Sequence, residues 1–241
     1  MSNCDYCGEA VTSVYSFQHM GVWYSGHKRC MGAPMVRKLS QPMPLPNIGL
    51  IGKLRAGKDV VAAYLAEKYG YTRFAFGDEL KRYAHELFGE PAEGSKPREL
   101  YQWFGQTVRE RDPDVWVRKC LEAASHHELS VKVAFANRGL WSSTPQFRAV
   151  ITDVRQLNEA EVLSARGYVL IRVEAPESLR IHRAIESGDT FNLRDLTHGT
   201  ETALDGYAAD FTVMNGAGLP ELYAQIDEIM ESLRVAGGEA A

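Results

Sequence analysis

The sequence predicts a three-layer α/β/α fold, a mainly parallel sheet with helices on both faces, behind a small N-terminal metal module. Three observations predict it. A glycine-bracketed loop, Gly52-Lys53-Leu54-Arg55-Ala56-Gly57-Lys58, stands between a short apolar strand and a helix. Downstream, short apolar runs alternate with segments of helical period, the pattern of parallel strands joined by crossover helices. Ahead of the loop, three of the four cysteines fall within the first 30 residues, together with histidine.

With 241 residues, 45% hydrophobic and 24% charged, the chain can bury a sizeable core. Its formal charge of −4 is mild and requires no nucleic-acid partner. Residues 1–46 hold Lys28, Arg29, Arg37 and Lys38 against Asp5 and Glu9, a net of +2, which leaves −6 for the rest. No apolar run approaches the roughly 20 residues that span a bilayer. The start lacks the basic and apolar regions of a secretion signal, so a cytoplasmic protein without membrane contact is expected.

Residues 1–33 read as a zinc module. Cys4-x-x-Cys7-Gly8 has the form of a zinc knuckle, and His27-x-x-Cys30 supplies a second pair after nineteen intervening residues. A hairpin around Met20-Gly21 would let Cys4, Cys7, His27 and Cys30 converge tetrahedrally on Zn²⁺. Some thirty residues bury too little apolar surface to fold alone, so the metal would supply much of the folding free energy. His19 competes as fourth ligand, and three free thiols are the alternative to any metal. Lys28 and Arg29 beside the metal suit a nucleic-acid contact; a module that only folds or docks against protein is the other reading. Residues 34–46, with Pro34, Pro42, Pro44 and Pro46, read as an extended linker, and the main domain follows over 47–241.

In that domain Ile48 to Ile51 is the first buried strand, and the loop that follows matches G-x-x-x-x-G-K. Such a backbone turns its N–H groups onto phosphate oxygens, here over Gly52, Leu54, Arg55, Ala56, Gly57, Lys58, Asp59 and Val60. Lys58 would reach the outer phosphates as a mobile point charge, and the next helix would favour anions at its N-terminus. Asp59 stands where Ser or Thr normally serves Mg²⁺; a carboxylate also suits a hard cation. Val60, Val61, Tyr64 and Leu65 carry the helix to Gly70.

Tyr71 to Phe76 reads as a second strand, and Asp78 as the N-cap of a helix whose stripe is Leu80, Ala84, Leu87 and Phe88. Asp78 and Lys81 lie at a strand's carboxyl end, where open α/β sheets bind ligands. Pro97 opens another helix, followed by Arg109 and Arg111, whose forks suit phosphate. After Asp112-Pro113-Asp114 a helix carries Trp116, Val117, Cys120 and Leu121 as core and ends near His126-His127. Val131, Val133 and Phe135 suggest a further strand before a turn-rich loop.

Ala149 to Thr152 is a buried-type strand ending in Asp153 and Arg155. An acidic residue there holds magnesium through water or orients the attacking group, and the arginine could grip a phosphate. Asn158 and Glu159 open the next helix, and Tyr168 to Val173 is the fourth strand. Residues 177–200 read as a lid bearing Arg180, Arg183 and Arg194, which would bring positive charge onto a transferring phosphoryl group. Asp210 to Asn215 is the fifth strand, and the last helix runs through Leu219, Leu222, Ile226, Ile229 and Leu233, with a frayed tail from Val235.

From Ile48 to Leu233 the chain resembles the P-loop deoxynucleoside monophosphate kinases of bacteriophages, relatives of nucleoside monophosphate and dephospho-CoA kinases. The loop residues ending Gly57-Lys58-Asp59 carry the resemblance, with Phe76-Gly77-Asp78-Glu79-Leu80-Lys81, Asp112-Pro113-Asp114 through Val117, and Ile151-Thr152-Asp153-Val154-Arg155 with Asn158-Glu159. His198 with Glu201, and Asp210-Phe211 with Asn215, add to it. The resemblance implies a five-stranded sheet in the order 2-3-1-4-5, ATP with Mg²⁺, and transfer of the γ-phosphoryl to a deoxynucleotide's phosphate. Lys58, Asp153 and Arg183 are its candidate catalytic residues, and a phage origin would put it in host cytoplasm. Two readings stay beside it: a kinase acting on a hydroxymethylated pyrimidine in DNA, and a non-catalytic ATP-binding interaction module.

Overall fold

A computed structural model of the chain describes residues 2–19, 22–32, 35, 45–93, 95, 97–138, 146–186 and 202–239. It divides into two compact units, Met1–Leu45 with Glu231–Ala241, and Pro46–Met230.

In the first unit, β1 (Ser2–Asn3) pairs antiparallel with β2 (Ala10–Val11), and β3 (Tyr15–His19) with β4 (Val22–Gly26). The hairpin register sets Phe17 opposite Tyr24 and His19 opposite Val22. Phe17 and Tyr24 pack onto a core of only Cys4, Val11, Cys30, Met31 and Met35 among the described residues. Most of the Pro-rich segment lies outside the described residues.

The second unit is built on β5 (Ile48–Ile51), β6 (Thr72–Phe74), β7 (Ala149–Val154), β8 (Val169–Glu174) and β9 (Phe211–Met214). All its pairings are parallel, in the order β6-β7-β5-β8-β9. Counted from the strand before the loop, this is the order 2-3-1-4-5. The central strands read as unbroken apolar runs because helices cover both faces. On one face pack α1 (Lys58–Tyr69) and, as far as Met230, α7 (Leu219–Glu239). Tyr64 stacks on Tyr223 with ring centroids 3.9 Å apart, and Asp227 accepts from both Tyr64 and Tyr69. The other face carries α2 (Phe76–Phe88), α3 (Arg98–Arg111), α4 (Val115–Asn137) and α5 (Leu157–Ala165), around Trp116, Cys120, Ile151 and Leu163. Helix α6 (Glu177–Glu186) follows β8.

Four sequence expectations need correction. Helix α4 neither ends at His126-His127 nor gives way to a strand over 131–135; it continues to Asn137. No Gly or Pro interrupts it, and Lys132 pairs with Glu128 one turn back at 2.6 Å. Asp78 is not an N-cap. Helix α2 starts at Phe76, after Ala75, because Asp153 at the end of β7 accepts its first amides, Phe76 N and Gly77 N, both at 2.8 Å. In α2, Leu80 and Ala84 are buried, but Leu87 and Phe88 are exposed. The last helix does not fray at Val235 but runs to Glu239.

Candidate active site

The loop after β5 is shaped by three residues of positive φ, the first of them Gly52 at 156°. Gly57 has φ 107°, and Arg55, at φ 61°, is the one non-glycine with positive φ among the described residues. A Cβ on Gly57 would come within 2.0 Å of the Asn215 amide nitrogen, so no larger residue fits there. Alternating backbone hands turn successive N–H groups to one side, making a concave anion site, and the N-terminus of α1 opens onto it. Lys58 is 8% exposed and donates to the carbonyls of Gly52 at 2.5 Å and Lys53 at 3.0 Å. It spans the loop from inside.

The loop faces a cleft of about 620 Å³ at the carboxyl ends of β5, β6 and β7. Six cations line it, Arg55, Lys58, Arg73, Lys81, Arg155 and Arg183, against the carboxylates of Asp59, Asp78 and Asp153. This excess of positive charge in a concave, partly desolvated wall suits a polyanion. Thus Lys58 and Asp153 share one cleft, and Asp78, Lys81 and Arg155 join them.

The carboxylates differ in how firmly they are held. Asp153 gives both oxygens to α2 amides; burial pushes its carboxyl up, against the pull of Gly77 and Phe76 N–H. Burial also raises Asp78, but Arg73 at 2.8 Å and Lys81 at 3.3 Å outweigh it and hold its carboxyl below the usual range. The Asp59 carboxylate, in the first turn of α1, is 87% exposed with Arg73 Nε at 4.0 Å. It faces the cleft from the helix end that the phosphates would approach, a donor set that fits Mg²⁺.

Other expected residues are placed elsewhere. Arg109 sits 3.7 Å from Glu159, and Arg111 is exposed at the end of α3; neither lines the cleft. Arg180, 7% exposed, borders a second cavity of about 440 Å³, where Lys53 pairs with Asp205 at 2.9 Å. Arg194, His198, Glu201 and the lid beyond Glu186 lie outside the described residues. Asp114 accepts from Asn158 Nδ2 at 2.9 Å, so this pair of motifs ties α4 to α5. Sequence reasoning missed Arg73 and Thr152 as cleft residues. Arg73 carries a signal, a charge inside a short strand; Thr152 carries none.

Glu159, 3% exposed, accepts from Arg155 N at 2.8 Å and Gln156 N at 3.0 Å. Burial pushes its carboxyl from an ordinary 4.5 up to about 7, helped by Asp153 and opposed by the Arg155 amide and Arg109. The folded state therefore keeps a proton that the unfolded chain gives up. That stabilisation is complete below pH 4.5 and is lost as pH rises to about 7. Glu159→Gln is expected to gain stability relative to wild type over this window, on the order of 3 kcal/mol in denaturant titrations. Parallel stability curves for the two proteins would contradict the assignment.

In the N-terminal unit, the ligand atoms of Cys4, Cys7, His27 and Cys30 all lie within 4.8 Å of one another. Cys7 Sγ is 3.6 Å from His27 Nδ1, close to the ~3.6 Å between thiolate and imidazole ligands around tetrahedral zinc. Both pairs sit on tight turns, with Gly8 N on Cys4 O at 2.8 Å and Cys30 N on His27 O at 2.9 Å. The His19 side chain lies outside the described residues. A Cβ on Gly26 would meet Cys4 Sγ at 2.3 Å. Gly26→Ala is therefore expected to lower bound zinc to a small fraction of one per chain; full occupancy by metal analysis would refute this.

No family model matches the chain. A protein of Acanthamoeba polyphaga mimivirus, named as a candidate deoxynucleotide monophosphate kinase, is 27% identical over 195 residues, covering 74% of this chain and 93% of its own. An uncharacterised protein, ORF77, of Ictalurid herpesvirus 1 is 26% identical over 160 residues, covering 66% of this chain and 59% of its own. Among solved structures, TT1252 of Thermus thermophilus aligns at TM-score 0.41 and 19% identity, covering 78% of this chain and 97% of that one. Shikimate kinase of Acinetobacter baumannii aligns at TM-score 0.42 and 19% identity, covering 78% and 94%. The phosphate loop and the sheet order are those of a P-loop α/β fold, and the mimivirus protein is similar over most of both chains.

Proposed function

We propose that this protein transfers the γ-phosphoryl group of ATP to the phosphate of a deoxynucleoside monophosphate, giving the diphosphate and ADP. The observation that carries the reading is the shared cleft, with the phosphate loop and Lys58 on the donor side and Arg73, Lys81 and Arg155 opposite. An acceptor phosphate oxygen attacks the γ-phosphorus while the bond to the β–γ bridging oxygen breaks. Lys58, the loop amides and Arg183 offset the charge of that transition state, and Asp59 would hold Mg²⁺, which would supply further positive charge to the donor.

The carboxylates favour a phosphate acceptor over a hydroxyl. A hydroxyl needs a general base. Asp78 is made a poor base by Arg73 and Lys81, and the two amides that Asp153 accepts pull its carboxyl down against the burial that raises it. A phosphate arrives ionised and needs no base. The name of the mimivirus relative supports the same acceptor class, and viral relatives fit action in a host cell's cytoplasm. Among the described residues, no helix is long and apolar enough to cross a membrane. Zn²⁺ on Cys4, Cys7, His27 and Cys30 is structural in this reading, and the module around it is a candidate contact for nucleic acid or protein.

Labelled ATP offered with each of the four dNMPs, and separately with hydroxymethylated DNA, tests the proposal. Label in a dNDP is expected. Label only in polymer, or ATP binding without transfer, would overturn it.

A further inference from the structure

The phosphate loop is held from outside as well as from within. Three successive carbonyls, of Leu54, Arg55 and Ala56, each accept a side chain from another element. The donors are Arg180 Nη1 at 3.4 Å, Arg183 Nη1 at 3.3 Å and Asn215 Nδ2 at 2.8 Å. Carbonyls drawn to the outside leave the loop amides for the inside, which is the arrangement an anion needs.

Asn215 makes the shortest of these bonds and is itself the most closely fixed. It is 3% exposed, just past β9. Its backbone N–H donates to Glu174 O at 2.6 Å, which ties it to the end of β8. Its Oδ1 accepts Arg183 Nη2 at 3.1 Å, so one amide group joins α6 to the loop. Its nitrogen also fills the space that the missing side chain of Gly57 leaves. Only a side chain with both a donor and an acceptor can do this. A carboxylate would set oxygen against the Ala56 carbonyl, and an apolar residue would leave buried polar groups unpaired.

We propose that Asn215 is a positioning residue for the donor nucleotide: through the Ala56 carbonyl and Gly57 it fixes the loop in the shape that presents its amides to phosphate. The inference rests on the kinase reading above. It predicts a selective defect, because on the acceptor side of the cleft Arg73 and Lys81 bond to Asp78, whereas Asn215 bonds to Arg183 and Ala56.

The test uses the full zinc-loaded chain. Asn215→Asp keeps size and the acceptor for Arg183 but removes the donor. Its KM and Kd for ATP are expected to rise about tenfold or more, with the acceptor KM within twofold and the melting temperature within a few degrees. Asn215→Ser, which removes bulk without adding charge, is expected to show the same pattern more weakly, and it carries the test if the aspartate variant does not fold. Wild-type ATP constants in either folded variant, or ATP and acceptor constants worsening together, would overturn the inference while leaving the kinase reading intact. Wild-type protein that binds no ATP would overturn both.

Discussion

Lys58→Ala is expected to reduce phosphoryl transfer by roughly 10²–10³-fold or more, as loss of a preorganised charge at the transition state does. Lys58 is nine-tenths buried, and its ammonium rests on the carbonyls of Gly52 and Lys53. Two bonds across the loop are lost with it, so ATP affinity should also fall. The fold should survive, because Gly52 and Lys53 border the second cavity, where the released carbonyls can take water instead. Steady-state transfer assays with circular dichroism on the same sample check both parts. Activity within threefold of wild type in a folded variant would remove Lys58 from the site.

Loss of zinc should have the second largest effect, confined to the N-terminal unit. Its described core is five residues, and two of them, Cys4 and Cys30, are candidate metal ligands. Without metal the buried thiols lose their compensation, and few apolar side chains remain to offset the entropy of ordering the chain. A strong chelator, or Cys4→Ser with Cys7→Ser, is expected to make residues 1–33 sensitive to limited proteolysis, while the sheet unit stays resistant. An N-terminal unit that stays protected after complete metal removal would show that its fold does not depend on zinc.

Much of this was legible in the sequence, for physical reasons that vary by element. The phosphate loop was readable because only glycine tolerates the backbone at positions such as Gly57, so composition reports conformation. The five strands were readable because sheets buried on both faces demand apolar runs. The convergence of Cys4, Cys7, His27 and Cys30 was readable because two close pairs leave few other uses for cysteine in a long chain. Helix α4 was misjudged past Ser125 because Val131, Val133 and Phe135 alternate as strand residues do, and their solvent exposure leaves no helical stripe. The start of α2 was misplaced because its capping group, Asp153, arrives 77 residues later in the chain than Phe76, and no local pattern encodes such a partner. Arg109 looked like a phosphate ligand because nothing in sequence reveals a buried carboxylate waiting beside it in α5.

That distant capping group ties α2 to the neighbour of the strand that carries the phosphate loop. Asp153 leaves β7, which lies directly beside β5, and grips the leading amides of α2. A swing of α2 toward an incoming nucleotide must either drag the tip of β7 along or snap two N–H···O links. The root of α2 is therefore anchored to the sheet, so any rearrangement of this wall of the cleft is expected to leave Phe76 and Gly77 in place.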